Sequence, residues 1–94
     1  MKLIIAIVQD EYATNVIKSL MSNKYRTTKL SSTGGFLKSG NTTLLIGVEN
    51  GEVDHVIELI RAECKEDKGL KEKNGVEVGA ANIFVLNMAN FMKL

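Results

Sequence analysis

Glycines crowd the segment of residues 33–41, which reads TGGFLKSGN. Glycine tolerates positive φ and lets backbone N–H groups approach an anion closely, so such a segment can bind phosphate. It does not have the three spaced glycines of the dinucleotide-binding fingerprint, and it does not match the P-loop because Leu37, and not glycine, directly precedes Lys38-Ser39. A phosphate-binding loop and a tight structural hairpin are therefore both open interpretations.

An apolar pair, Phe36 and Leu37, lies at the expected tip of this segment. Such a pair is exposed in an isolated chain unless a partner chain or a flat ligand covers it. Stacking of a nucleobase on an aromatic ring stabilises a complex by ~1–3 kcal/mol, and the amide of Asn41 could bind a base edge. The alternative is that Phe36 packs against its own core.

Arg26 stands beside two hydroxyl residues, Thr27 and Thr28, shortly before the glycine-rich segment. A guanidinium next to hydroxyl groups suits a phosphodiester, which offers several acceptor oxygens. A surface ion pair is the alternative for Arg26. The adjoining glycine-rich segment favours an anion site over that alternative.

Signals for catalysis or metal binding are weak. His55 is the single histidine and Cys64 the single cysteine, and neither has partners at a spacing typical of a nucleophilic or tetrahedral metal site. We expect His55 to be an exposed helix residue, Cys64 to face the core, and Glu58 to pair with Arg61. The prediction is a protein without catalytic residues, metal or cofactor.

The hydrophobic pattern divides the chain into six elements. Their order, strand, helix, strand, strand, helix, strand, predicts a single α+β domain over residues 1–94 with a ferredoxin-like βαββαβ fold. In this fold two helices pack on one face of an antiparallel sheet. The predicted strands cover residues 2–8, 25–32, 42–48 and about 76–86, and the helices run from an N-cap at Asp10 to near Asn23 and from Val53 to near Lys65.

Size and charge narrow the class of protein. The chain has 94 residues and a net charge of +1, which argues against non-specific binding to nucleic acid or an anionic membrane. Its apolar runs are too short to span a bilayer, and the start resembles a strand more than a signal peptide. We therefore expect a cytoplasmic protein, and the small core favours self-association.

Several of these segments together carry a family resemblance. The opening MKLIIAIVQD, the run GGFLKSGNTT of residues 34–43, and VEVG of residues 76–79 followed by FVL of residues 84–86 resemble the PII-like cyclic-di-AMP receptors. The resemblance covers almost the whole chain apart from the charged stretch of residues 65–75. It implies a homotrimer that binds a cyclic dinucleotide in the clefts between subunits and signals to a downstream protein.

The sequence departs from the family pattern at several positions, and the resemblance also implies which residues bind the ligand. Lys24 and Ala80 depart from it, since many members have asparagine and glycine there, and the loop of residues 65–75 is shorter and more charged than usual. Thr27 replaces the usual alanine and would contribute through its backbone. The implied ligand residues are Arg26, Thr27, Thr28, Gly35, Phe36, Leu37, Asn41, Gly47, Gly79 and Phe84.

Four functions remain, in order of preference. The first is a cyclic-di-AMP receptor, in which Arg26 and Thr28 hold phosphate or ribose while Phe36 and Leu37 enclose adenine. The second is a PII-type regulator that binds ATP or ADP, although the connection after the second strand is too short for the long effector loop of that group. The third is a trimeric interaction module without a ligand, and an enzyme comes last.

Overall fold

A four-stranded antiparallel sheet with two helices on one face forms the body of the protein. The structure is a computed structural model, and it describes residues 1–30, 40–64, 81–89 and 92. The sheet has the strand order β2-β3-β1-β4. This arrangement confirms the predicted ferredoxin-like α+β fold. The elements are β1 (Lys2–Gln9), α1 (Asp10–Ser22), β2 (Thr27–Leu30), β3 (Asn41–Val48), a short 3₁₀ turn (Asn50–Glu52), α2 (Val53–Glu63) and β4 (Ala81–Asn87).

Strict alternation along the two central strands builds the core. From Ile4 in β1 and from Thr42 in β3, every second residue faces the helices and is buried, while the residues between them face the opposite side. Apolar stripes of α1 and α2 cover the buried row, and the predicted burial of Cys64 is confirmed. The fully buried side chains of this core include Ile4, Val8, Leu44, Ile46, Val16, Leu20, Val56 and Ile60.

The start of α1 differs from the prediction. Asp10 is the first helical residue and not the N-cap; Gln9 holds that position, without a side-chain capping bond. The reason is that β1 pairs with β3 as far as Gln9 and Asn41, which brings Thr42 beside the helix start. The Thr42 hydroxyl donates to Asp10 Oδ1 at 2.6 Å, so the carboxylate that was expected to accept backbone N–H bonds joins the helix to β3 instead.

The end of α1 is a Schellman motif centred on Lys24. The Tyr25 N–H donates to the Leu20 carbonyl and the Lys24 N–H to the Met21 carbonyl, both at 2.9 Å. Lys24 has φ of +68°, a left-handed conformation that usually requires glycine or asparagine. This turn ends the helix and places Arg26 immediately before β2.

The other boundaries agree with the predictions to within one or two residues. The helix α2 ends at Glu63, where the Cys64 N–H donates to the Arg61 carbonyl at 3.1 Å, and β4 ends at Asn87. The predicted strand residues 31–32 and 76–80, and the predicted charged loop of residues 65–74, lie outside the described residues.

Candidate functional site

The sheet face opposite the helices, here called the open face, is mostly apolar. It carries alternate residues of all four strands, since directly paired residues of antiparallel strands point to the same side. No described helix packs on this face. Phe84 is 52% exposed and Leu86 48% exposed. Continuous apolar surface of this kind marks a binding site or an interface between chains.

A pocket of about 350 Å³ opens on this face. Most of its wall is apolar, and two polar side chains, Arg26 and Thr28, lie at one edge. A pocket with an apolar wall and a few polar groups on one side is typical of small-molecule sites. It is lined by Met1, Leu3, Arg26, Thr28, Leu45, Gly47 and Met88.

The register of β2 against β3 decides which of the predicted polar residues reach the pocket. Thr28 pairs with Leu45 and lines the pocket, whereas Thr27 pairs with Ile46, a core residue on the helix side. The Thr27 hydroxyl instead donates to the Tyr25 carbonyl at 3.4 Å. The structure therefore brings Arg26 and Thr28 together at the pocket and places the Thr27 side chain on the other face.

Gly47 forms part of the pocket because it lacks a side chain. It pairs with Leu3 on the open face, and a Cβ built on it would lie 3.6 Å from the terminal methyl of Met88. The Met88 N–H donates to the Met1 carbonyl at 3.0 Å, which extends the β1–β4 pairing and holds both methionines beside the glycine. The flexible thioether chains can adapt to an irregular ligand.

The side chain of Tyr25, just before the start of β2, contacts those of Glu52 and His55. The Tyr25 hydroxyl donates to the Glu52 carboxylate, and it lies 2.7 Å from His55 Nδ1, with the two rings edge to face. The bond to Glu52, together with desolvation and the carboxylate charge, raises the pKa of Tyr25 to about 12. His55 is exposed as predicted, but its contact with Tyr25 was not foreseen.

The remaining predicted ligand residues are distributed as follows. Asn41 begins β3 opposite Gln9 and is half-buried, and Phe84 lies on the open face of β4 opposite Ile5; neither lines the pocket. Gly35, Phe36, Leu37 and Gly79 lie outside the described residues. Sequence reasoning missed four pocket residues, Met1, Leu3, Leu45 and Met88, although strand alternation alone would have placed Leu3 and Leu45 on this face.

Other predicted features can be checked in the described ranges. Arg61 and Glu58 form the expected exposed pair on α2, with N and O atoms 2.7 Å apart. Within residues 1–30, 40–64 and 81–89, no three His, Cys, Asp or Glu side chains are grouped so that they could hold a metal ion. None of the helices described is long and apolar enough to cross a membrane.

The fold and the pocket define a ferredoxin-like protein with a largely apolar pocket on its open sheet face. A comparison with protein families gives the family: the model of the cyclic-di-AMP receptor family matches residues 1–75. The chain therefore belongs to the cyclic-di-AMP receptor family, as the resemblance implied.

A solved structure supports the fold over the full length. The crystal structure of a functionally unknown protein from Pediococcus pentosaceus ATCC 25745 is similar, with 36% sequence identity and a TM-score of 0.74. The match covers 99% of this chain and 96% of the other.

Proposed function

We propose that this protein is a second-messenger receptor that binds cyclic-di-AMP at the open-face pocket, in clefts between the subunits of a homotrimer. The observation that carries the proposal is the pocket itself. In a chain of the cyclic-di-AMP receptor family, it combines a guanidinium and a hydroxyl with an apolar wall. These are the groups that a ligand with anionic phosphodiesters and flat apolar bases requires.

The polar edge and the apolar wall of the pocket would contact different parts of the ligand. The Arg26 guanidinium presents a rigid fork of N–H donors and Thr28 a hydroxyl, so this edge binds phosphate or ribose oxygens. Leu3, Leu45 and the two methionines offer apolar contacts to a base. Phe36 and Leu37 would enclose an adenine, and Asn41, at the start of β3, would recognise its edge.

The surface that the single chain leaves exposed supports the proposed trimer. Phe84 and Leu86 lie on the open face near its β4 edge, and their burial against neighbouring subunits would stabilise a chain of only 94 residues. Phe84 is three strands away from Arg26, about 14 Å at the usual strand spacing. It would therefore contact the ligand from another direction, most simply in the cleft that a neighbouring subunit forms.

Two further functions are alternatives. A PII-type regulator of the same fold would bind ATP or ADP, but here only ten residues, 31–40, connect β2 to β3. A trimeric interaction module would use the open face for assembly alone. A dinucleotide receptor accounts better than either alternative for a pocket that combines Arg26, Thr28 and an apolar wall.

The proposed receptor has no enzymatic role and needs no cofactor. Its proposed output is a change in binding to a downstream protein, and its proposed location is the cytoplasm. Cys64, the single cysteine of the chain, is buried, and a lone cysteine is compatible with a reducing compartment.

Isothermal titration calorimetry of the purified protein tests the proposal directly. Cyclic-di-AMP, cyclic-di-GMP, ATP and AMP are titrated separately into the same preparation. We expect saturable binding of cyclic-di-AMP at one ligand per chain, and much weaker binding of the other three. Binding of ATP alone would support the PII-type regulator, and an absence of binding by all four would support the interaction module.

A further inference from the structure

Two neighbouring threonines of β3, Thr42 and Thr43, are both buried but differ in their hydrogen bonds. Thr42 is 6% exposed and its hydroxyl donates to Asp10 Oδ1. Thr43 is 4% exposed, and its Oγ1 has no hydrogen-bond partner among the residues that the structure describes. Leaving a buried hydroxyl without a partner is unfavourable, so the Thr43 hydroxyl reduces the stability of the ligand-free fold.

Thr43 lies on the open face, in the same row as the proposed ligand residues of β3. Along the strand its neighbours on that face are Asn41 and Leu45, and Leu45 lines the pocket. Across the sheet it pairs with Ile7 on one side and with Leu30 on the other. Thr42, in contrast, points to the helix side.

We propose that Thr43 is a further ligand-binding residue, whose hydroxyl makes with the bound dinucleotide the hydrogen bond that it lacks in the ligand-free protein. The inference rests on the proposed function. A base that enters the open face between Asn41 and Leu45 passes directly over Thr43. Adenine offers ring-nitrogen acceptors and an exocyclic amine donor, so a hydroxyl, which can donate and accept, suits either edge.

The Thr43 hydroxyl is buried, so the ligand can reach it only if neighbouring side chains move. Leu30, the residue paired with Thr43 at the end of β2, is 36% exposed, which leaves its side chain able to change rotamer. The cost of an unsatisfied hydroxyl in the free state is then recovered on binding. This arrangement explains why a threonine occupies a buried position where valine, which has the same shape, would pack without that cost.

The test compares Thr43→Val with Thr42→Val, which removes the same atom from the next residue. For Thr43→Val we expect a higher thermal midpoint than wild type and a Kd for cyclic-di-AMP that rises roughly threefold to tenfold. For Thr42→Val we expect a lower midpoint, because the Asp10 bond is lost, and an unchanged Kd. Thr43→Ser, which keeps the hydroxyl, should retain a Kd close to that of wild type.

If the wild-type protein binds cyclic-di-AMP, as the proposed function requires, two outcomes would still overturn the inference about Thr43. An unchanged Kd in a stabilised Thr43→Val protein would mean that the hydroxyl is unsatisfied in both states. A lower thermal midpoint in that variant would mean that the hydroxyl is already bonded in the free protein. If wild type itself fails to bind, the proposed function fails first and the inference with it.

Discussion

Arg26, which immediately precedes β2, and Phe84 of β4 lie toward the two opposite edges of the same sheet, with β3 and β1 between β2 and β4. Arg26 lines the pocket and Phe84 is 52% exposed outside it. One chain therefore presents a polar group and an aromatic group too far apart to hold the same part of a ligand. Association of chains through the open face would bring such groups together, and the following predictions test this arrangement.

Replacement of Arg26 by alanine should raise the Kd for cyclic-di-AMP roughly tenfold to a hundredfold, because a charge-assisted hydrogen bond is lost. Arg26→Lys should recover part of the affinity, since lysine keeps the charge without the planar fork. Lys29→Ala is the matched control: Lys29 lies three residues after Arg26, within β2, and pairs with the core residue Leu44 on the other face. Calorimetry that gives wild-type affinity for Arg26→Ala would remove Arg26 from the site.

Gly47→Ala should fold normally and bind cyclic-di-AMP more weakly. The added Cβ would lie 3.6 Å from the Met88 methyl, an ordinary van der Waals distance, so thermal unfolding should change little. The same methyl group would occupy space in the pocket wall. Equal affinities of the alanine variant and wild type would show that the ligand does not approach this strand closely.

The oligomeric state should depend on the open face. Light scattering should give wild type a mass three times that of the single chain. Leu86→Lys, which places a charge among apolar side chains on that face, should shift the mass toward that of one chain. Met21→Lys changes an equally apolar residue, 62% exposed on α1, and should leave the trimer intact. A monomeric wild type, with ligand present, would contradict the intersubunit site.

Lys24→Gly should raise the free energy of unfolding by about 1 kcal/mol, because glycine adopts the left-handed conformation at this Schellman position without a Cβ clash. Asn23→Gly provides the comparison. Asn23 has φ of −93°, and its side-chain amide donates to the Ser19 carbonyl at 2.8 Å, so glycine there should destabilise. Urea unfolding measures both; a loss of stability in Lys24→Gly would show that the lysine side chain makes a compensating contact.

Tyr25 should contribute stability that disappears at high pH. Its pKa in the folded protein is raised to about 12 from an ordinary value of 10.0, mainly by the hydrogen bond to Glu52. The folded state therefore holds the phenolic proton more tightly than the unfolded state does. The contribution is complete below pH 10 and is lost as pH rises from 10 to 12.

The comparison of wild type with Tyr25→Phe isolates this contribution from other groups that titrate in the same range. The difference between their unfolding free energies should shrink between pH 10 and 12, and tyrosinate absorbance should show one fewer late-titrating group in the variant. If the difference in unfolding free energy stays constant over this range, the hydrogen bond to Glu52 does not raise the pKa of Tyr25 in solution.

Much of the fold was predictable because it depends on local pattern. The dense apolar runs of β1 and β3 and the apolar stripes of α1 and α2 identified these elements to within one or two residues. Their order, with the short connection between β2 and β3, then predicted the ferredoxin-like arrangement. The glycine-rich segment and Arg26 pointed to an anion site, and the resemblance carried by GGFLKSGNTT identified the family.

The tertiary structure alone decided which residues meet. Thr27 and Thr28 are equivalent in sequence terms, and only the pairing of β2 with β3 places one at the pocket and the other on the helix side. Met88 adjoins Gly47 because β1 pairs with both β3 and β4. Thr42 is bonded to Asp10 and Thr43 is not, because successive residues of a strand face opposite sides of the sheet. These contacts depend on the register between strands distant in sequence, which is set by long-range packing and not by local residue preference.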